Sequence, residues 1–149
     1  MADFKIERDV EIEAPVDVVW RTITEPGQIT RWFADRVELD LKPGGHGYLA
    51  FGEQKGTAIL IETVDQPSRF AFRWNRPQDD DPTIDNAVLV EFTLTARGPE
   101  STHLRVVETG VEALPWPDDE KHSYTDDHNG GWTTCFGRLA ALFGEPAAG

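Results

Sequence analysis

The residues of this chain best suited to chemistry are four histidines, His46, His103, His122 and His128, and a single cysteine, Cys135. A zinc or similar site needs a His-x-x-x-His pair on a helix or a paired Cys/His pattern, and neither spacing occurs. If a helix begins near Pro117, His122 and Asp126 lie four apart on one face, as do Tyr124 and His128. That spacing would allow an acid/base or metal pair, but exposed helix polarity is the reading it favours. Cys135 falls on an apolar stripe with no activating neighbour in sequence, as a small core residue would. Gly44, Gly45 and Gly47 precede a strand rather than a helix and lack the Lys and Ser/Thr of a phosphate loop, which points to a hairpin turn. No Gly-x-Ser-x-Gly elbow is present, and only coordinates test a Ser-His-Asp arrangement. The residues therefore assign no catalytic group, no metal set and no cofactor.

Polar residues on apolar faces are more informative. Arg8 is in phase with Phe4, Ile6, Val10 and Ile12, and Glu108 is in phase with Leu104 and Val106. Trp74, Phe92, Trp116 and Trp132 are the aromatics expected around any hollow, with Val106 on its wall and Tyr48 and His46 nearer an entrance. His128 joins Arg8 and Glu108 as a polar group available to such a hollow. Aromatic walls with a few polar groups suit a planar or amphipathic organic ligand, and the same rings are equally able to fill the space themselves. For Trp20 and Trp32 the core is the stronger reading.

The elements that must position these residues follow from periodicity. Alternation predicts a half-buried strand over Phe4 to Ile12, with Lys5, Glu7, Asp9 and Glu11 outward. Pro15 suits a first helical position, and Val16, Val19, Trp20 and Ile23 recur at helical spacing. After Pro26 and Gly27, Ile29, Trp32 and Phe33 make a second short stripe. Strands are expected at Val37 to Leu41, Tyr48 to Phe51, Thr57 to Val64, Arg69 to Trp74, Ala87 to Thr95 and His103 to Thr109, seven with the first. Arg76 to Asn86, with Asp79, Asp80 and Asp81, is expected to be a solvated hairpin loop.

Beyond Pro117 a long helix is expected to about Phe143, opened by Asp118, Asp119 and Glu120 at the positive end of its dipole. At roughly 1.5 Å per residue it would cross a whole sheet. Gly130 and Gly131 are unusual inside it, each costing about 1 kcal/mol relative to alanine. They imply a bend, a close backbone approach, or a helix that starts only at Trp132.

Fourteen basic against twenty-seven acidic residues give a formal charge of −13, a field that repels nucleic acid and anionic membranes. One domain over residues 1–149 is expected from the length and the lack of a linker or repeat. The first ten residues carry no basic, apolar leader, and one cysteine cannot form an internal disulfide, so a reducing cytoplasm is expected.

Taken together, Ala14, Pro15, Val19 and Trp20, then Thr24, Pro26 and Trp32, then Pro43, Gly44 and Gly45, then Leu104, Thr109 and Gly110, then Gly131, Trp132, Leu139 and Leu142 resemble the bacterial homologues of the activator of the heat-shock-protein-90 ATPase. These belong to the START-like, or SRPBCC, superfamily. The resemblance implies an α+β helix-grip fold: a seven-stranded antiparallel sheet curled around a long C-terminal helix, with two short helices after the first strand. It implies a cavity between sheet and helix for a small hydrophobic or amphipathic molecule, without demonstrable catalysis. A chaperone-related interaction with a protein partner, or a small cavity enzyme of cyclase or hydratase type, are the alternatives, and oligomeric state is left open. In that topology the first and last strands are antiparallel neighbours, so Arg8 and Glu108 could both point into the cavity, while a structural ion pair, or strand ends that curl into water, is the favoured reading.

Overall fold

A computed structural model describes residues 5–50, 56–75 and 87–143. The expected loop over 76–86, and Phe4 and Phe51 at two strand ends, lie outside the described residues. Seven strands form one antiparallel sheet: β1 (Ile6–Ile12), β2 (Arg36–Leu39), β3 (His46–Ala50), β4 (Thr57–Asp65), β5 (Arg69–Trp74), β6 (Val88–Gly98) and β7 (Ser101–Thr109). Their order is β1-β7-β6-β5-β4-β3-β2, so every connection except β1 to β2 joins neighbours, and the last strand returns beside the first. Two helices, α1 (Val16–Thr24) and α2 (Pro26–Ile29), fill that one non-neighbour connection, and α3 (Asp118–Ala141) follows β7.

Alternation sorts each strand into a covered and a wet face. Ile6, Glu108, Val90, Phe72 and Ile61 are successive cross-strand partners, a row on the covered face in which one carboxylate stands among apolar side chains. The opposite face carries ion pairs such as Arg105 with Glu7, Arg73 with Glu62 at 2.7 Å and Arg69 with Glu91 at 3.4 Å, as suits a surface in water.

The α1 stripe of Val19, Trp20 and Ile23 is buried against the sheet, and the indole N–H of Trp32 donates to the Thr22 carbonyl at 3.0 Å. Trp20 and Trp32 are thus core residues. The expected glycine hairpin forms between β2 and β3. Gly44 has φ +83, and a Cβ on Gly45 would collide with the Asp40 carbonyl, so both positions demand glycine. The amides of Gly44 and Gly45 are bonded to the Ile61 and Lys42 carbonyls, which leaves no phosphate cradle.

α3 runs unbroken through Gly130 and Gly131 and is about 36 Å long. Nothing lies within 4 Å of a Cβ built on either glycine, so neither a close approach nor a helix start explains them. Tyr124, Trp132, Phe136 and Leu139 are its buried apolar face. The edge strand β1 is also tied to it. The Asn129 amide accepts from the Glu7 backbone N–H at 3.3 Å and donates to the Lys5 carbonyl at 3.0 Å, standing in for a further strand.

Candidate functional site

Where α3 crosses the ends of β5 and β7, its i, i+4, i+8 row of Tyr124, His128 and Trp132 faces Glu108 and Trp74. The Glu108 side chain is 0% exposed. Its Oε1 accepts from the Tyr124 hydroxyl at 2.7 Å and from the indole N–H of Trp74 at 3.1 Å, which is shared with the Tyr124 oxygen at 2.9 Å. Its Oε2 accepts from the indole N–H of Trp132 at 2.7 Å and lies 2.7 Å from Nδ1 of His128. Four partners fill the acceptor capacity of a carboxylate, which is how a charge persists in an apolar row. Among the described residues no buried side-chain nitrogen or oxygen lacks a partner.

An ionised carboxylate only accepts, so against Glu108 the Nδ1 of His128 is the donor, and Nε2 is the ring nitrogen turned outward. The His128 side chain is 26% exposed, and among the described residues nothing pairs with Nε2. The Tyr124 ring stacks on the imidazole at 3.7 Å between centroids, Trp74 meets it edge-on at 5.5 Å, and Trp116 packs on Tyr124 at 5.1 Å.

Deeper in, Trp32, Phe33, Trp132 and Trp74 form a near-parallel row, with successive centroids 5.2, 5.0 and 6.1 Å apart. Phe92 meets Trp132 edge-on at 5.5 Å. A void beside this row, lined by residues including Ile23, Leu49, Ile59, Phe72 and Phe92, has a volume of about 10 Å³. That is room for about one water molecule. The rings themselves occupy this part of the space between sheet and helix.

Three expectations are corrected. Arg8 shares the covered face with Glu108, yet no ion pair joins them: Arg8 is exposed, and its guanidinium donates to Thr133 Oγ1 at 3.0 Å and to the Glu7 carbonyl at 2.7 Å. β1 is the sheet edge nearest α3, so the helix offers Arg8 a closer acceptor, while Glu108 is already saturated. Tyr48 alternates with Leu49, which faces the void, and so lies on the opposite face, where its oxygen accepts from the Gly56 N–H at 2.9 Å. His46 shares that parity. Thirdly, Tyr124 is buried against the sheet instead of exposed; His128, also expected at the hollow, is half-buried beside it, and His122 and Asp126 are exposed as expected. Val106, at 0% exposure between Arg8 and Phe92, is enclosed wall.

Tyr124 is the site residue that the strand-centred reading passes over. Its signal was the four-residue spacing to His128 and Trp132, a single stripe that includes polar members. Cys135 is half-buried, and desolvation pushes its thiol above the usual range, with Arg138 partly opposing. That environment disfavours a nucleophile. No group of acidic, histidine or cysteine side chains among the described residues could hold a metal ion.

Comparison with known proteins fits this architecture. Over 95% of its length the chain superposes on DynU16, a protein of the dynemicin biosynthetic locus, with TM-score 0.74 and 27% identity. It spans only 47% of DynU16 itself. Protein MLL2253 from Mesorhizobium loti matches with TM-score 0.72 and 25% identity over 91% of this chain and 95% of that one. An HSP90 activator from Plasmodium falciparum has the same fold at 18% identity, with TM-score 0.74 over 95% of this chain and 97% of that one. No curated protein matches by sequence. Residues 13–144 match the profile of the family described as activator of Hsp90 ATPase homolog 1-like protein, and the chain belongs to this family of START-like, helix-grip proteins.

Proposed function

We propose that this chain is a binding domain for a small, planar, amphipathic molecule, received at the His128 end of the space between the sheet and α3. One observation carries the reading: Glu108 is wholly enclosed and saturated, while the histidine it orients turns outward a nitrogen that has no partner among the described residues. Tyr124, Trp74 and Trp116 are buried around it and make its surroundings apolar, as the walls of small-molecule sites are. Deeper seating would require half-buried Phe33 to leave its place on Trp132, because ligand sites run to roughly 300 Å³ or more. The free thiol of Cys135 suits a reducing, cytoplasmic setting.

The Glu108 and His128 pair also favours a second reading, a small enzyme. A carboxylate fixing one imidazole nitrogen while the other faces outward is the arrangement of a general base. A chaperone-type partner has less behind it, since Leu41 is the exposed large hydrophobic side chain among the described residues and a docking face needs a contiguous apolar patch.

The test is a panel of planar aromatic amphiphiles followed by tryptophan fluorescence and melting temperature. Saturable quenching with a raised melting temperature is expected, because a ligand for the folded state stabilises it by mass action. A panel that gives neither sinks the binding reading. Turnover of a bound compound, lost in Glu108→Gln with binding retained, would replace it by the enzyme. A bulky residue at enclosed Val106 would test packing and not binding.

A further inference from the structure

We propose that Phe33 is a plug standing in for a ligand, and that the bound molecule inserts a flat hydrocarbon ring into the slot this side chain fills; this rests on the binding reading above and adds what the inner end of the ligand must be. Three features single Phe33 out. Its ring stacks on both Trp32 and Trp132, at 5.2 and 5.0 Å between centroids and tilted by 22° and 24°, as two indoles would hold a bound arene. Trp32, Trp132 and Trp74 are buried, whereas Phe33, in the same row, is half-buried. Finally, Phe33 is carried by the turn that follows the four-residue α2, so swinging it outward breaks no strand ladder and no turn of α3.

The indole faces are covered while Phe33 is in place, and they open only when it leaves. The apolar void bounded by Phe33 itself, Ile29, Leu39 and Leu49 then joins the space the ring vacates, and its 10 Å³ adds room for about one group the size of water or methyl. What the slot accepts follows from the polar atoms already committed around it. The indole N–H of Trp32 donates to the Thr22 carbonyl and that of Trp132 to Glu108, and no buried side-chain nitrogen or oxygen among the described residues lacks a partner. A hydroxyl or amide carried into the slot would lose its water and find no unpaired side chain, at a cost of about tenfold or more in affinity, whereas a hydrocarbon ring has no such bond to lose. Trp74 lies 6.0 Å from Phe33 and 5.5 Å from His128, so a single ring separates the slot from the polar end of the site. The ligand class is therefore a short amphiphile, with a phenyl or alkylphenyl ring inward and its polar group toward His128.

The probe is 2-(4-methylphenyl)ethanol, titrated into wild-type protein and into Phe33→Ala and followed by NMR. In wild type the expected result is saturable binding in which nuclear Overhauser contacts between Phe33 and the Trp132 ring are replaced by contacts between the probe's ring and Trp132. Phe33→Ala should bind the probe about tenfold or more tightly than wild type, because a competent state populated at about 10% or less weakens the apparent affinity by that fraction and the variant has no plug to move. If the variant fails to fold, the exchange of contacts in wild type decides alone. Binding to wild type with the Phe33 to Trp132 contacts intact, or an affinity in Phe33→Ala no tighter than in wild type, overturns the plug while the binding reading survives. Binding to Phe33→Ala but not to wild type also overturns it, since the native side chain then never yields its place. Binding to neither protein overturns the binding reading together with the plug.

Discussion

At the scale of single residues, the contrast between Glu108 and Arg8 shows how position in the sheet decides what a charge does. Both are in phase with apolar neighbours, but Glu108 lies one strand in from the edge and is enclosed, whereas Arg8 is on the edge strand and exposed. Glu108→Ala should cost about 3 kcal/mol or more, since it leaves two indole N–H groups, a hydroxyl and an imidazole N–H without their acceptor. Arg8→Ala should stay within about 0.5 kcal/mol of wild type, as exposed substitutions do. Urea denaturation of both variants checks the pair, and comparable losses would mean that Arg8 belongs to the buried network. Trp132 links ring packing to the same carboxylate, so Trp132→Ala should cost about 3–5 kcal/mol and Trp132→Phe, which keeps a ring but loses the 2.7 Å hydrogen bond, clearly less.

At the scale of elements, α3 is held by what it touches and weakened by its own composition. Gly130, Gly131 and Gly137 all have open space where a Cβ would stand, and none has a positive φ. Gly130→Ala and Gly131→Ala should therefore each stabilise the protein by about 0.5–1 kcal/mol, through the conformational entropy the unfolded chain loses. Gly45→Ala is the opposing control, because its Cβ would collide with the Asp40 carbonyl and must destabilise. If the two helix variants lower the melting temperature instead, the middle of α3 needs its glycines for a bend or contact not seen here. β1 shows the complementary effect, since its edge is satisfied by the Asn129 amide on α3 in place of another strand. The strands, the turn glycines and the long helix were legible in the sequence because each depends on local period and backbone allowance. The corrections came at Arg8, Tyr48, His46 and Tyr124, where the facing or the partner of a side chain depends on which surface a neighbouring element covers.

At the scale of the whole molecule, the formal charge of −13 is spread over a small body whose wet sheet face is a set of partly exposed ion pairs. Net self-repulsion should dominate over the weak attraction of those pairs. Raising the salt from low ionic strength to about 0.15 M, where the screening length is about 8 Å, should then raise the melting temperature. A fall would mean that the surface pairs contribute more than the repulsion costs. No helix among the described residues is long and apolar enough to cross a membrane.

What the sequence determined by itself was the sheet, the three helices, the turn chemistry and the aromatic character of the space between them, because periodicity and glycine or proline placement act over a few residues. It also marked Glu108 as a carboxylate out of place on an apolar face. Only the tertiary structure decided what that carboxylate does. Its four partners come from β5 and from three turns of α3, separated from it by 34 residues at Trp74 and by 16 to 24 along the chain at Tyr124, His128 and Trp132. Hydrogen bonds across such separations depend on how a helix is rotated over a sheet, and that rotation is set by the packing of Trp132, Phe136 and Leu139 together, a property of the assembled core that no local pattern encodes.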